Sequence, residues 1–208
     1  MPTLLRLLVT IAACFVLAAC DEKSVNPLSD PAKAQADPGV AGIWQVVMEA
    51  NKPPKEVQIL HFVPRNDNWS DIVVVVHDGT GTDRVTQGYR MFPTILGKHR
   101  FMNVVSTDNP MGKAPRQPGE YNFLRYELSG RDTLKVWTMN SKWALRTVTD
   151  GRLRGTVDRS FVTTVKLIDS SENLASVVQE SDPIQSFDGE LFTLRRVIPP
   201  FLPNAYTK

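Results

Sequence analysis

Short apolar and β-branched runs, each closed by turn-forming residues, recur along the chain from Gly39 to Val197. They are Ile43 to Met48, Val57 to Val63, Asp71 to Val76, Val85 to Phe92, Phe101 to Val105, Tyr121 to Leu128, Leu134 to Met139, Leu153 to Val157 and Phe161 to Leu167. This is the spacing of β-strands. Alternation is clearest in Leu153, Gly155 and Val157 against Arg152, Arg154 and Thr156. It recurs in Phe161, Thr163, Val165 and Leu167 against Val162, Thr164 and Lys166. Successive strand side chains face opposite ways, so such a strand has one wet and one buried side. Ile72-Val73-Val74-Val75-Val76 does not alternate, which predicts a central strand covered by a second layer, for which a helix is the natural candidate. Asp78-Gly79, Ser129-Gly130-Arg131 and Asp150-Gly151 supply turns.

Helical signals come late. Asp169-Ser170-Ser171-Glu172 reads as a capping box, followed by an apolar stripe of Leu174, Val177 and Val178. Asn140 to Asp150, with Trp143, Ala144, Leu145 and Val148, predicts a second short helix stopped at Gly151. The fold expectation is mainly β: an antiparallel barrel or two-sheet sandwich of about eight or nine strands with one late helix.

Charge adds little. The 208 residues carry 24 Lys+Arg against 22 Asp+Glu, a net charge of +2, which gives no basic surplus for a nucleic-acid partner. Both cysteines, Cys14 and Cys20, lie within the first twenty residues. That placement excludes a disulfide framework, a cysteine zinc site or a cysteine nucleophile from the body of the chain.

The first 19 residues have the layout of an export signal: an Arg6-bearing start, an uncharged apolar run from Leu7 to Ala19, and small residues at its end. The run is 13 residues long, short of the roughly 20 that a bilayer-spanning helix requires. Leu17-Ala18-Ala19-Cys20 resembles the lipobox of bacterial lipoproteins. That resemblance implies a diacylglyceryl thioether on Cys20, removal of residues 1–19 and acylation of the new amino terminus. Membrane lipid would then be a partner through acylated Cys20, since a second acyl chain turns marginal binding into stable anchoring. Asp21 resembles the aspartate that retains enteric lipoproteins in the inner membrane. An inner-membrane anchor facing the periplasm is the favoured location, and the outer membrane is the alternative.

Residues 20–38 follow as lipidated cysteine and flexible linker. Asp21 to Pro38 holds three prolines and no hydrophobic face, a composition unable to offset the entropy of ordering. As a coil it would span on the order of 25 Å. The β-rich domain is assigned to 39–197. A proline-rich tail, 198–208, contains Ile198-Pro199-Pro200-Phe201-Leu202-Pro203 and suits an extended course, packed on its own domain or bound to a partner.

Gly42-Ile43-Trp44, opening the first strand of the domain, resembles the glycine-x-tryptophan start of lipocalins and related barrels. The late helix followed by a final strand, Glu190 to Val197, is similar too. The resemblance implies that Trp44 closes one end of a barrel and that Arg195 or Arg196 packs over it. The threonine-aspartate-x-x-tyrosine motif of that family is not matched, because Thr82-Asp83 is followed by Arg84, Val85 and Thr86.

Catalytic and metal signatures are missing from the sequence. His61, His77 and His99 lack the close pairing of zinc hydrolases. Asn66-Asp67-Asn68 begins like a calcium loop, but its sixth place is Asp71 and its twelfth is His77. Gly79-Thr80-Gly81 is followed by no Gly-Lys-Ser/Thr, and no serine nucleophile elbow occurs. Lys142, Arg146, Arg152, Arg154 and Arg159, diluted by Asp150 and Asp158, read as a solvated face. Trp69, Tyr89, Phe123, Tyr126, Trp137 and Trp143 are core fillers or cavity walls. The sequence therefore points to a non-enzymatic, membrane-tethered periplasmic module with neither cofactor nor metal, binding a small apolar or lipid ligand. The alternative is an accessory lipoprotein that docks onto an envelope protein complex.

Overall fold

A computed structural model describes residues 22–47, 57–77, 83–107, 120–160, 163–187 and 189–197. Eight strands form a closed antiparallel barrel: β2 (Gly42–Val47), β3 (Val57–Pro64), β4 (Ser70–His77), β5 (Asp83–Leu96), β6 (His99–Thr107), β7 (Asn122–Ser129), β8 (Thr133–Thr138) and β11 (Gly189–Arg196). Neighbours in sequence are neighbours in the wall until β8, which pairs with β11, and β11 in turn pairs with β2. Closure leaves the wall without an edge. The barrel, rather than a sandwich, is the realised form of the expected β architecture.

Between β8 and β11 the chain makes one excursion. It contains α1 (Ser141–Thr149), β9 (Gly155–Asp158), β10 (Thr164–Leu167), α2 (Ser171–Glu180) and α3 (Pro183–Ser186). β9 and β10 form a small sheet with β1 (Lys23–Ser24), in the order β1-β10-β9. Asn140 caps α1 by accepting the Trp143 amide at 2.9 Å, and Gly151, at φ 72°, turns the chain after it. Ser170 caps α2 by accepting the Asn173 amide. The predicted capping box is displaced by one residue: Asp169 precedes the cap, and the third helical position is Asn173 rather than Glu172.

Strand alternation sorts apolar side chains into two cores. Inward residues Trp44, Val46, Leu60, Phe62, Ile72, Val74, Tyr89, Met91, Met102, Val104, Leu124, Tyr126, Leu134, Val136 and Leu194 fill the barrel together with Val40. Outward residues Phe92, Phe101, Val105 and Phe123 pack against α1, α2 and the small sheet through Trp143, Ala144, Leu153, Val165, Leu174, Val177 and Val178. The helices gather over β5 to β7. They do not cover Ile72 to Val76 as predicted, for Val73 and Val75 on its outward side are only half-buried. The valine run reflects β-branched preference for a strand more than burial on both faces.

The largest departure from expectation lies in 22–38, which is no loose spacer. Ser24 is fully buried, Leu28 is 1% exposed and Glu22 6%. The segment lies as a strap along the outside of the wall. Its amides and side chains are satisfied by residues far away in sequence, and its few apolar side chains enter the outer core, so low hydrophobicity did not prevent ordering.

Candidate functional site

The two ends of the barrel differ. Short turns join β3 to β4, β5 to β6 and β7 to β8 at one end, where Asn68 at φ 65° and Gly130 at φ 65° adopt left-handed turn conformations. The opposite, far rim is reached by the strand ends Val47, Val57, His77, Asp83, Thr107, Asn122 and Thr138. The turn predicted at Asp78-Gly79 and the glycines of Gly79-Thr80-Gly81 lie outside the described residues, as do Cys14, Cys20, Asp21, Phe161 and the tail 198–208.

At the short-turn end Trp44 is fully buried, and its indole N–H donates to the Val40 carbonyl at 2.8 Å. The Arg196 guanidinium lies 4.2 Å from the Trp44 ring centroid. It donates to the carbonyls of Ala41 at 2.7 Å, Gly39 at 2.6 Å and Arg131 at 2.8 Å. Of the two candidates, Arg196 is the one stacked on the tryptophan, because it pairs with Trp44 in the ladder and shares its face. Arg195 is one residue out of phase and exposed. Gly42 stands beside this contact at φ 128°, where a Cβ would approach the Arg196 Nη1 to 2.7 Å. Asp37 adds a polar bracket by accepting the Tyr126 hydroxyl at 2.8 Å and pairing with Arg100 at 3.1 Å. Burial, reinforced by the Asp37 charge, pushes the Tyr126 phenol far above its ordinary pKa, so it serves as a fixed donor.

Toward the far rim the inward face becomes more polar and, on the β5 to β8 side, less buried, while Val46, Gln58 and Val76 on the β2 to β4 side stay buried. Ladder partners share a face, so Gln87 opposite Val74, Ser106 opposite Tyr89, Asn122 opposite Val104 and Thr138 opposite Leu124 all belong to the inward side. Gln87, Asn122, Thr138 and Phe192 are half-buried, and Ser106 is exposed. The barrel is thus solid around Trp44 and Tyr126, and its least buried inward positions, with Ser106 the most exposed, gather on the β5 to β8 side of the far rim.

The strap runs from this rim to the other. Ser24 exchanges backbone hydrogen bonds with Tyr121 at 2.8 and 2.7 Å, next to the first residue of β7. Midway, the Leu28 amide donates to Asn103 Oδ1 at 2.7 Å, and the hydroxyls of Ser29 and Thr94 lie 2.5 Å apart. Asn103, fully buried, also donates to Thr94 Oγ1 at 2.8 Å and the Phe92 carbonyl at 3.2 Å. The strap ends at Asp37 to Ala41, which plug the short-turn end. A surface groove of about 650 Å³ lies between strap, β5 and α2, lined by Leu28, Lys33, Thr94, Ile95, Glu172 and Ala175.

Asp169 joins strap, small sheet and helix. Its carboxylate accepts the amides of Arg154 at 2.8 Å and Ser170 at 2.9 Å and the Asn173 side-chain amide at 2.8 Å, while its carbonyl accepts from Asn26 at 2.8 Å. The Arg154 amide chiefly, with Asn173 and Ser170, holds the carboxyl down at about 2. Arg154 is therefore tied to Asp169, and Arg152 pairs with Glu180 at 3.5 Å. Both arginines stay exposed, as do Lys142, Arg146 and Arg159, so the face is solvated as expected and two of its members also carry ion pairs.

The histidines are not brought together. His61 and His77 lie on the outward face of neighbouring strands, opposite Val73 and Val57 respectively, roughly 13 Å apart along the ladder. His99 opens β6 at the other rim, where burial, chiefly, lowers its pKa. Among the described residues no group of three His, Cys, Asp or Glu side chains is placed to hold a metal ion, and no helix is long and apolar enough to cross a membrane. The aromatic set divides: Tyr89 and Tyr126 fill the barrel, whereas Phe123, Trp143, Trp69 and Trp137 belong to the outer core. Arg125 stacks 3.9 Å from the Trp137 centroid and pairs with Glu127 on the outer wall. No known protein family, curated protein or solved structure matches the chain.

Proposed function

We propose that this chain is a lipid-anchored binding module of the bacterial cell envelope, facing the periplasm, whose barrel takes a small apolar or lipid-like molecule through its far rim. The observation that carries the reading is the fall in burial along the β5 to β8 side of the barrel, from buried Tyr126 and Met102 to half-buried Asn122 and exposed Ser106. An apolar interior with a few polar groups at its entrance is the usual composition of a ligand pocket. The anchor is acylated Cys20, supported by Leu17-Ala18-Ala19-Cys20, with Asp21 favouring the inner membrane. Native mass spectrometry of protein released gently from its own membrane tests the binding role. A co-released apolar molecule, lost on Ser106→Trp, supports the reading; protein that is always ligand-free, and that takes up no fatty acid or phospholipid when offered, contradicts it.

A second reading, docking onto an envelope complex, is favoured by one feature. β9 ends the small sheet, and among the described residues no strand pairs with its outer side. Such an edge accepts an added strand from a partner. In-cell crosslinking from Thr156→Cys separates the two, since docking gives one dominant protein product that disappears when a proline replaces Val157.

A further inference from the structure

The strap fixes how close the anchor stands to the barrel. Glu22 is 6% exposed, and its carbonyl accepts the Asn122 side-chain amide at 3.3 Å at the first residue of β7. Lys23 and Ser24 pair in parallel with Lys166 and Leu167. Ser24 also bonds Tyr121 through both its amide and its carbonyl, and Asn26 donates to the Asp169 carbonyl. Residues 22–38 of the expected leash are thereby spent along the wall, from the far rim at Asn122 to the short-turn rim at Asp37. Only Asp21 separates Glu22 from Cys20. Two peptide links reach at most about 7 Å, against the roughly 25 Å of a free eighteen-residue coil.

We infer that the far rim of the barrel faces the phospholipid surface at contact distance, with the barrel standing on the membrane by its ligand entrance. This rests on acylation of Cys20, the reading proposed above. A short attachment at one rim restricts tumbling, because the opposite rim, roughly 20 Å away along tilted strands, is too distant to reach the headgroups without unzipping β1. The entrance near Ser106 then opens toward the bilayer, so an apolar molecule passing between lipid and barrel does not cross bulk water. A lipid-derived ligand is accordingly the class the geometry favours.

The mature body has no cysteine once residues 1–19 are removed and Cys20 is acylated, so single cysteines report position cleanly. Val47→Cys labels the far rim, and Lys98→Cys labels the short-turn rim; both sites are exposed. Acylated full-length protein carrying a fluorophore at either site is reconstituted into phosphatidylethanolamine and phosphatidylglycerol vesicles containing a headgroup-nitroxide lipid. Several-fold stronger quenching at residue 47 than at residue 98 is expected. Inserting about twelve Gly/Ser residues between Asp21 and Glu22, a coil of roughly 20 Å, should remove the difference. Equal or reversed quenching on vesicle-bound protein without the insertion overturns the orientation while leaving the anchor intact. Protein that does not co-sediment with vesicles overturns the anchor reading and the orientation with it.

Discussion

Arg196 and Trp44 lock the two ends of the domain's chain together: the last strand's guanidinium covers the first barrel strand's indole at 4.2 Å and ties the intervening lead-in by the carbonyls of Gly39 and Ala41. A planar, charged fork suits this site because it stacks and donates at once. Arg196→Ala should therefore lower unfolding free energy by about 1–3 kcal/mol, the usual range when partly buried hydrogen bonds and a stacked cation are lost together. Arg196→Lys should recover less than half, since a lysine cannot stack and serve several carbonyls simultaneously. Urea denaturation followed by tryptophan fluorescence measures both, and an Arg195→Ala control should change little.

Gly42→Ala tests the same contact from the backbone side. At φ 128° any Cβ is strained, and it would also press on Arg196. A loss of about 1–3 kcal/mol is expected in the same urea experiment.

Asn103 is the mid-strap clasp. Asn103→Leu removes the acceptor of the Leu28 amide and the donor to Thr94 while keeping the branched shape of the side chain. Stability should fall by about 1–3 kcal/mol for the unpaired polar groups. Hydrogen exchange at the Leu28 amide should accelerate more than exchange in β3, which distinguishes release of the strap from general destabilisation.

Asp169 gives a pH dependence. Its folded pKa, about 2, is below that of an unfolded aspartate, so the stabilisation is complete above about pH 4 and fades as pH falls toward 2. Asp169→Asn should be destabilised relative to the parent at neutral pH, with the gap narrowing between about pH 4 and 2. Thermal melts across that interval check it; a gap unchanged with pH would assign the effect to packing.

Much of this was legible from local signals. Asn140 as a helix start, the start of α2 to within one residue, Gly151 as a stop, and Leu174, Val177 and Val178 as a buried stripe depend on neighbours within a few residues, where periodicity and capping act. Trp44 was visible as a strand-opening aromatic, and alternation through Phe192 and Leu194 to Arg196 could have chosen between the two arginines. The strap was not legible. Leu28 is held by Asn103, 75 residues away, and Asn26 by Asp169, 143 residues away. Composition measures whether a segment can order itself, not whether a completed wall will order it. The half-buried outer faces of Val73 and Val75 were misjudged for the related reason that β-branched residues mark strand backbone as well as depth.

The most direct measurement is the mass of the amino-terminal peptide of protein extracted from its native membrane. The account predicts a chain that begins at Cys20 and carries a diacylglyceryl thioether, and a Cys20→Ala protein that leaves the membrane fraction. A chain beginning elsewhere, an unmodified Cys20, or a Cys20→Ala protein that stays with the lipid would contradict it.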